Sequence, residues 1–383
     1  MRLALFTDTL ADINGVARFI TDMAGCAHAH RRPLRVITST RKGDDQLPPG
    51  TVNIAPTLAM PIPGYSTLDV VWPNRQEIWQ AADDFGPTAV HVSTPGPVGW
   101  CGRQYARARG LPLAGVWHTD FVSYTQRLYG DDGLAQLAGT VLDWFYKPFD
   151  LILARSRAHA VILAATSRVC APVRVLAAGV DTRRFDATER PADRASGPVR
   201  VLYVGRVSAE KNTGLLAQIW PLVSPLQPCG RCELRIVGDG PGLARLRREL
   251  GGHADVVCTG FLTGDALVAE YHAADLVVFP SATDTLGQVV MEAQACGLPV
   301  VCGSAGGPAQ IIADGTTGVV VSSDDAGAWA AVISRLIDDG PLRRSMGHAA
   351  AYAMQTCTIE RSFSHFWALH SELRSRTNLR PGG

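Results

Sequence analysis

Short apolar runs alternate with longer helix-like segments along almost the whole chain, and this rhythm begins twice. Several runs are apolar at consecutive positions, which is typical of parallel strands covered by helices on both faces. The first series of predicted strands comprises Leu3–Thr7, Leu34–Thr38, Val52–Ala55, Ala89–Val92, Leu113–Trp117, Leu151–Ala154 and Val173–Leu176. The second series comprises Val199–Val204, Leu234–Val237, Val256–Cys258, Leu276–Phe279, Val300–Cys302 and Gly318–Val321. The sequence therefore predicts an α/β fold with two Rossmann-like domains facing a cleft, with ligands beyond the carboxyl ends of the strands.

The length of the chain also favours two domains, because 383 residues exceed one core of ordinary size. The polar segment from Asp186 to Pro198 precedes the second series of strands and marks the boundary. We predict a first domain over residues 1–185 and a second over residues 186–360. A helix over residues 361–383 is predicted to pack across their junction, the alternative being a terminal helix on the second domain. The proline-rich stretch from Pro56 to Pro73 has no clear period and is predicted to be a long loop.

Charge and composition narrow the class of protein. Lys and Arg number 36 against 35 Asp and Glu, which argues against a generally nucleic-acid-binding surface. No apolar stretch approaches the roughly 18–20 residues of a membrane span, and Met1 to Leu10 lacks the features of a secretory signal. We therefore predict a cytoplasmic protein. The nine cysteines suit reduced thiols, and the CxxC formed by Cys229 and Cys232 is assigned no chemistry.

The segment that follows the first strand of the second series carries candidate anion-binding residues. Gly205 allows a tight turn at the strand end, Arg206 offers a planar fork of donors, and Lys211 supplies a compact charge near a helix start. Two cations at a helix N-terminus suit a diphosphate. The alternative is a surface Arg and Lys paired with Glu210.

Two further strand ends carry a glycine turn and a pair of carboxylates. The turn is weak evidence alone and consists of Gly238, Asp239 and Gly240. In the segment from Pro280 to Pro299, Asp284 is predicted in a loop and Glu292 in the second turn of the following helix. The N–H groups near Leu286, Gly287 and Gln288 at that helix start are predicted to be free to bind an anion. Thr285, in the same loop, is a further candidate donor-binding residue. The alternative is Asp284 as a helix cap and Glu292 as an ordinary helix residue.

Taken in order, these three motifs resemble the donor site of family 4 glycosyltransferases, which have the GT-B fold. The resemblance covers most of residues 1–370. It implies that Arg206 and Lys211 bind the donor diphosphate and that Glu292 binds the ribose. Asp284 then contacts the transferred sugar, at a position where the family usually has the longer Glu, so the donor sugar stays open. By the same resemblance, the second domain binds the donor and the first binds the acceptor.

The resemblance also assigns residues in the first domain. Gly15 matches a small glycine-containing loop that approaches the phosphates, with Asp12 and Asn14 as candidate acceptor contacts; the alternative is a tight turn without a ligand. His118 matches a histidine beside the donor sugar, although a lone histidine is more often structural. The segment from His118 to Gly130 looks like that of lipid-directed and mannosyl-transferring members, and its further candidate acceptor contacts are Asp120 and Tyr124. The segment from Gly179 to Phe185 is similar to the interdomain hinge.

The resemblance implies a retaining hexosyltransferase that uses a nucleotide diphosphate sugar, GDP-mannose or a UDP-sugar, with no metal and no other cofactor. The alternatives are a sugar-nucleotide epimerase or hydrolase and a catalytically silent binding scaffold. The acceptor hydroxyl is left open among a lipid, a glycan and a soluble molecule. The apolar segment from Leu58 to Trp72, with Arg103, Arg107 and Arg109, could meet the inner face of an anionic membrane, or these arginines line a solvated helix face. No nucleic-acid partner is expected.

Overall fold

The computed structural model describes residues 1–10, 14–62, 65–118, 132–166, 169–189, 197–228, 230–322 and 324–378. The chain forms two compact units. Unit 1 takes the described residues up to 118, those from 132 to 178 and those from 359 onward. Unit 2 takes the described residues from 179 to 358. Among the described residues, no helix combines the length and the apolar character needed to cross a lipid bilayer.

Unit 1 is built on a parallel seven-stranded sheet of order β3-β2-β1-β6-β7-β8-β9, with a separate antiparallel pair formed by β4 and β5. The strands are β1 (Leu3–Thr7), β2 (Leu34–Thr38), β3 (Thr51–Asn53), β4 (Pro56–Ile62), β5 (Tyr65–Pro73), β6 (Ala89–Val92), β7 (Leu113–Trp117), β8 (Leu151–Ala154) and β9 (Val173–Val175). The central strands are buried at every position, as their uninterrupted apolar runs predict.

The predicted long loop from Pro56 to Pro73 is wrong, because this segment contains the β4–β5 ribbon. Each strand of a two-stranded ribbon has an unpaired edge, where proline is tolerated, and the register of the pair shifts beside Pro56 and Pro61. Ala59 and Val71 oppose each other and pack on the core of unit 1. The other face of the ribbon is apolar and exposed, and its large side chains are Leu58, Met60 and Trp72.

Within the described residues up to 178, five helices cover the unit 1 sheet, and the first three begin at a polar cap or at proline. They are α1 (Gly15–Ala29), α2 (Arg75–Phe85), α3 (Pro97–Ala108), α4 (Asp132–Tyr146) and α5 (Arg157–Thr166). The side-chain oxygen of Asn14 accepts hydrogen bonds from the N–H groups of Val16 and Ala17 at the start of α1. Helix α3 has proline at its first position, where the missing N–H costs no helical hydrogen bond.

Unit 2 has a parallel six-stranded sheet of order β12-β11-β10-β13-β14-β15. Its strands are β10 (Val199–Val204), β11 (Cys232–Val237), β12 (Val256–Gly260), β13 (Leu276–Phe279), β14 (Val300–Gly303) and β15 (Gly318–Val321). Its helices are α6 (Thr213–Val223), α7 (Leu243–Glu249), α8 (Gly264–Ala273), α9 (Gln288–Ala295), α10 (Pro308–Ile311), α11 (Ala326–Asp338) and α12 (Gly340–Met354). The strand order reverses between β10 and β13, and this switch point is where doubly wound sheets bind ligands.

The last helix, α13 (Ile359–Asn378), follows unit 2 in sequence but belongs to unit 1. Phe363, Phe366 and Trp367 are buried in the same core as Phe19 of α1, and the rings of Phe19 and Phe366 meet edge to face at 6.0 Å. This helix therefore completes the unit 1 core. Its predicted packing across the domain junction and the predicted domain boundaries stay predictions.

A buried histidine pair joins α13 to the unit 1 sheet. His370 lies 2.7 Å from the carbonyl oxygen of Phe366 through Nδ1, and its Nε2 lies 3.0 Å from Nδ1 of His91 on β6. A carbonyl can only accept, so His370 carries its proton on Nδ1 and accepts from the Nδ1–H of His91. Burial lowers the pKa of His370 to about 4 and lowers that of His91 well below its usual range. The pair is therefore neutral at neutral pH.

Acidification should destabilise unit 1 through this pair. An unfolded histidine has a pKa of about 6.5, so the unfolded chain binds a proton that the native chain excludes. The stability is therefore complete above about pH 6.5 and is lost as the pH falls toward 4, with a cost for His370 alone of about 1 kcal/mol at pH 5.5. We expect the free energy of unfolding, measured with urea, to fall less between pH 7.5 and 5.5 in His370→Leu than in the wild type.

The matched control is His28→Leu, which removes an exposed histidine and should keep the wild-type pH dependence. Comparing variants also removes the contribution of Asp8, whose pKa burial raises to about 6. Equal pH dependence in the wild type and in His370→Leu would contradict the assignment.

Candidate active site

The loop after β10 presents two of the predicted cations. Gly205 has a positive φ of 149°, which turns the chain at the strand end. The hydroxyl of Tyr203 donates to the carbonyl oxygen of Arg206 at 2.8 Å and fixes the loop from below. Lys211 ends a short 3-10 turn, and Asn212 at φ 53° leads into α6. The sequence prediction of a lysine near a helix start is therefore confirmed.

The glycine turn after β11 packs directly against this loop. Gly238 and Gly240 both have positive φ values, 146° and 154°. A Cβ atom on Gly238 would overlap the carbonyl oxygen of Gly205, and one on Gly240 would overlap that of Val207. These two positions therefore require glycine for close backbone approach, and the turn holds the Arg206 loop in place. Asp239 between them caps the N–H of Gly240 through its own side chain.

The loop after β13 leads into α9 as predicted, with Gly287 as N-cap at φ 86° and Gln288 as the first helical residue. The loop rests on a second glycine pair, because the N–H of Gly307 donates to the carbonyl oxygen of Asp284 at 2.8 Å. A Cβ on Gly306 would lie 2.7 Å from the same oxygen. Thr285 is half-buried and Leu286 is buried.

Lys211 and Asp284 form an ion pair, with Nζ and Oδ1 2.5 Å apart and side chains 24% and 19% exposed. The other carboxylate oxygen, Oδ2, is buried with no hydrogen-bond donor among the described residues. The alternative is that Glu210 pairs with both Arg206 and Lys211. Of these two cations, Glu210 pairs only with Arg206, whose Nε lies 4.0 Å from its Oε1. The structure therefore brings Lys211 and the candidate sugar-binding carboxylate together beside the start of α9.

Glu292 is buried on α9, and its Oε2 accepts a hydrogen bond of 3.0 Å from the hydroxyl of Tyr271. The ring of Tyr271 in turn meets Phe185 edge to face at 5.5 Å. The side chain of Gln288 donates to the carbonyl oxygen of Gly179 at 3.2 Å. Both ends of the predicted hinge segment therefore contact residues that position Glu292 or the start of α9.

In unit 1, Asn14 uses both ends of its side-chain amide within the fold. Its oxygen caps α1, and its Nδ2 donates to Oγ1 of Thr9 at 2.8 Å. Gly15 is the first residue of α1, has no positive φ, and has no atom within 4 Å of the position of an added Cβ. The alternative of a tight turn at Gly15 is therefore wrong, and the fold itself does not demand glycine there.

His118 directly follows β7, and its Nε2 lies 3.0 Å from the hydroxyl of Ser93, which directly follows β6. The ring of Phe19 meets the imidazole edge to face at 5.2 Å. Burial, and then the charge of Arg155, lower the pKa of His118 well below its usual range. The imidazole is therefore neutral at neutral pH, and it can exchange hydrogen bonds with a ligand without adding charge.

Three predicted acceptor contacts, Asp12, Asp120 and Tyr124, lie outside the described residues, as does Cys229 of the CxxC. Cys232 is buried on β11, and burial raises the pKa of its thiol to about 11, so it is not a reactive thiolate at neutral pH. No three His, Cys, Asp or Glu side chains of the described residues converge as metal ligands.

Sequence reasoning missed Tyr271, Ser93 and Arg155. The last two stand directly after predicted strands, so the strand-end rule that selected His118 could have found them. Arg155 is 7% exposed, and its guanidinium lies over the ring of Phe19 at 4.4 Å. Tyr271 carried no signal, because it lies inside a helix that contributes no predicted site residue.

Comparison with known proteins identifies the family and the fold. Residues 13–184 match the family described as Glycosyltransferase Family 4, and residues 198–339 match that described as Glycosyl transferases group 1. The sucrose-phosphate synthase from Thermosynechococcus elongatus has a similar structure, with a TM-score of 0.76, 20% identity, and coverage of 98% of this chain and 100% of that one. The chain thus has the GT-B fold that the sequence predicted.

Three relatives are similar in sequence. The sulfoquinovosyl transferase SQD2 of Arabidopsis thaliana is 28% identical over 76% of this chain and 58% of its own length. The D-inositol 3-phosphate glycosyltransferase of Salinispora arenicola is 30% identical over 78% of this chain and 71% of its own length. The GDP-mannose-dependent alpha-mannosyltransferase of Mycobacterium tuberculosis is 29% identical over 84% of both chains. The chain belongs to family 4 of the glycosyltransferases.

Proposed function

We propose that this chain transfers a hexose from a nucleotide diphosphate sugar to a hydroxyl acceptor with retention of the anomeric configuration. The observation that carries the proposal is the contact between Lys211 and Asp284 beside the N-terminus of α9. The ammonium and the free N–H groups of a helix start suit a diphosphate, and a carboxylate next to them suits sugar hydroxyls. Glu292, in the second turn of the same helix, is proposed to hold the ribose.

The donor is proposed to be GDP-mannose, with a UDP-sugar as the alternative. Two considerations support this choice. The segment that begins at His118 resembles that of mannosyl-transferring members, and the relative from Mycobacterium tuberculosis is a GDP-mannose-dependent enzyme by name. Asp284 is one methylene shorter than the usual Glu, so the sugar itself is the part of the donor that most needs testing.

Stabilisation of the departing diphosphate is the main task of such a site. Arg206, Lys211 and the start of α9 place fixed positive potential where the leaving-group charge grows, and the proposal requires no metal. We propose a front-face route. The bond from the anomeric carbon to the diphosphate oxygen breaks, the acceptor oxygen bonds to the same face, and the departing phosphate takes the acceptor proton.

The test is product analysis on GDP-mannose and UDP-glucose, with and without a panel of acceptor alcohols. We expect an acceptor-dependent glycoside whose anomeric configuration, read by NMR, equals that of the donor. An altered sugar nucleotide, or free sugar formed at full rate without acceptor, would favour the epimerase or hydrolase alternative. Calorimetric binding of a nucleotide sugar without any turnover would favour the silent scaffold.

Unit 1 is proposed to touch an anionic membrane from the cytoplasmic side. Two exposed apolar surfaces support this, the outer face of the β4–β5 ribbon and a stripe on α4 at helical spacing formed by Leu134, Leu137, Val141 and Trp144. Arg103 lies over the ring of Trp144 at 5.0 Å, whereas Arg109 is paired with Asp83 and is not free for lipid. Flotation with anionic vesicles, lost in Leu137→Glu, tests the contact; no flotation of the wild type removes it.

Gly15→Ala should separate folding from function. The new methyl group meets no atom in the free protein, and replacing glycine at a helical position stabilises by about 0.5–1 kcal/mol. If the backbone at Gly15 lies against the donor phosphates, the same methyl should weaken nucleotide-sugar binding at least about tenfold. Thermal unfolding and donor titration together measure both effects. Unchanged donor affinity would remove Gly15 from the site.

A further inference from the structure

Arg155 is a buried cation that the proposed transfer does not use. It directly follows β8 and is 7% exposed. Its guanidinium lies over the ring of Phe19 at 4.4 Å. The Nη1 nitrogen is buried and donates to no acceptor among the described residues. A guanidinium has five N–H donors in a rigid fork, so part of its donor capacity is unused in the free protein.

The charge of Arg155 persists despite this burial. Burial lowers its pKa to about 10, which still leaves it protonated at neutral pH. Asp22 opposes this shift through its charge alone. Its Oδ1 lies 3.4 Å from Nε of Arg18, so the charge of Arg18 partly offsets that of Asp22. A buried charge without a hydrogen-bonded counter-ion destabilises a fold. Buried charges in proteins are usually paired, and an anion supplied by a bound molecule would complete the pairing of Arg155.

The neighbours of Arg155 are groups that could hold the rest of a small polar molecule. Ser93, His118 and Arg155 directly follow β6, β7 and β8, which are adjacent strands of one sheet. Adjacent strands lie about 4.8 Å apart, so the three residues span roughly 10 Å along the sheet edge. The ring of Phe19 contacts both His118 and Arg155. The sheet edge therefore presents one cation, one neutral imidazole and one hydroxyl.

We propose that Arg155 binds a singly charged oxyanion of the acceptor, a carboxylate or a phosphodiester, while Ser93 and His118 contact its hydroxyl groups. A single cation favours a single negative charge, because the neutral His118 adds none. The assignment of this anion to an acceptor rests on the proposed function. The existence of an anion site at Arg155 does not, and it can be tested alone.

The experiment measures the thermal stabilisation of the full chain by acetate, dimethyl phosphate and inorganic phosphate, with chloride at equal ionic strength as reference. Arg155→Met removes the charge and keeps most of the volume, and Arg155→Lys keeps the charge. Arg174→Met removes an exposed arginine on β9 as the matched control. Each variant is also made in a Lys211→Ala background, which weakens anion binding at the donor site.

We expect the wild type and Arg174→Met to be stabilised by the monoanions, also in the Lys211→Ala background. Arg155→Met should raise the apparent Kd of the anions at least about tenfold, as the loss of a charge-assisted hydrogen bond predicts, and Arg155→Lys should recover part of it. Without added anion, Arg155→Met should be at least as stable as the wild type. The anion site is overturned if added anions stabilise Arg155→Met as much as the wild type. It is also overturned if Arg155→Met is less stable and Arg155→Lys restores that stability while added anions stabilise neither variant.

Binding of GDP and UDP by the same variants separates this inference from the proposed function. Arg155→Met should bind nucleoside diphosphates as the wild type does. Failure of the wild type to bind any nucleoside diphosphate would overturn the donor proposal and leave the anion site standing. If inorganic phosphate stabilises the wild type and neither acetate nor dimethyl phosphate does, the single-charge assignment is wrong.

Discussion

Lys211→Ala should weaken the binding of nucleoside diphosphates by about 2 kcal/mol or more, roughly a thirtyfold rise in Kd. The Lys211 side chain is about three-quarters buried, and its ammonium has three donors, of which Asp284 uses one in the free protein. The other donors are available to phosphate oxygens beside the start of α9. Isothermal titration calorimetry with GDP and UDP measures the effect, and an unchanged affinity would remove Lys211 from the donor site.

Lys211→Ala should also lower the free energy of unfolding, and a second variant separates this effect from the loss of affinity. In the wild type, Oδ1 of Asp284 pairs with Lys211 and Oδ2 has no hydrogen-bond donor among the described residues. Loss of Lys211 therefore leaves the carboxylate without this ion pair. Leaving a partly buried carboxylate unpaired costs about 1–3 kcal/mol. The double variant Lys211→Ala/Asp284→Asn should recover stability without recovering affinity. Arg245→Ala, which removes a 75% exposed cation of the same unit, should alter neither property.

Gly238→Ala should damage both the fold of unit 2 and its donor site. The added Cβ would overlap the carbonyl oxygen of Gly205, and the φ of 146° is strained for any residue with a side chain. We expect a loss of about 3 kcal/mol or more in the free energy of unfolding. The relief of this overlap moves the loop that carries Arg206, and a displacement of about 1 Å can cost on the order of a hundredfold in kcat/KM.

Gly252→Ala is the matched control, since this exposed glycine has no positive φ and no atom within 4 Å of an added Cβ. Urea unfolding and transfer rates of the two variants should therefore diverge. A Gly238→Ala protein as stable as Gly252→Ala would mean that the turn after β11 does not support the Arg206 loop.

The strands, and the carboxyl ends after which the candidate site residues lie, could be predicted from the sequence. Burial on both faces leaves uninterrupted apolar runs, so the bounds of Leu3–Thr7 and Leu276–Phe279 were predicted as they are observed. Once strand ends are known, the polar residues after them become candidates. The start of α9 after Gly287 was predicted by the same reasoning.

The pairing of side chains could not be predicted in this way. Lys211 and Asp284 are 73 positions apart and meet because β10 and β13 are neighbours across the point where the strand order reverses. The sequence fixes no such order, so the nearby Glu210 was the natural alternative. The β4–β5 ribbon was missed for another reason, because its prolines hide the alternation of buried and exposed residues.

The return of α13 to unit 1 has a consequence for biosynthesis. The core of unit 1 contains Phe363, Phe366 and Trp367 from α13, so the ribosome must release the chain past these residues before that core can close. The described part of unit 2 is one continuous segment in sequence, and domains fold as units during translation. The core of unit 2 can thus form before that of unit 1, which stays incomplete until α13 packs against it.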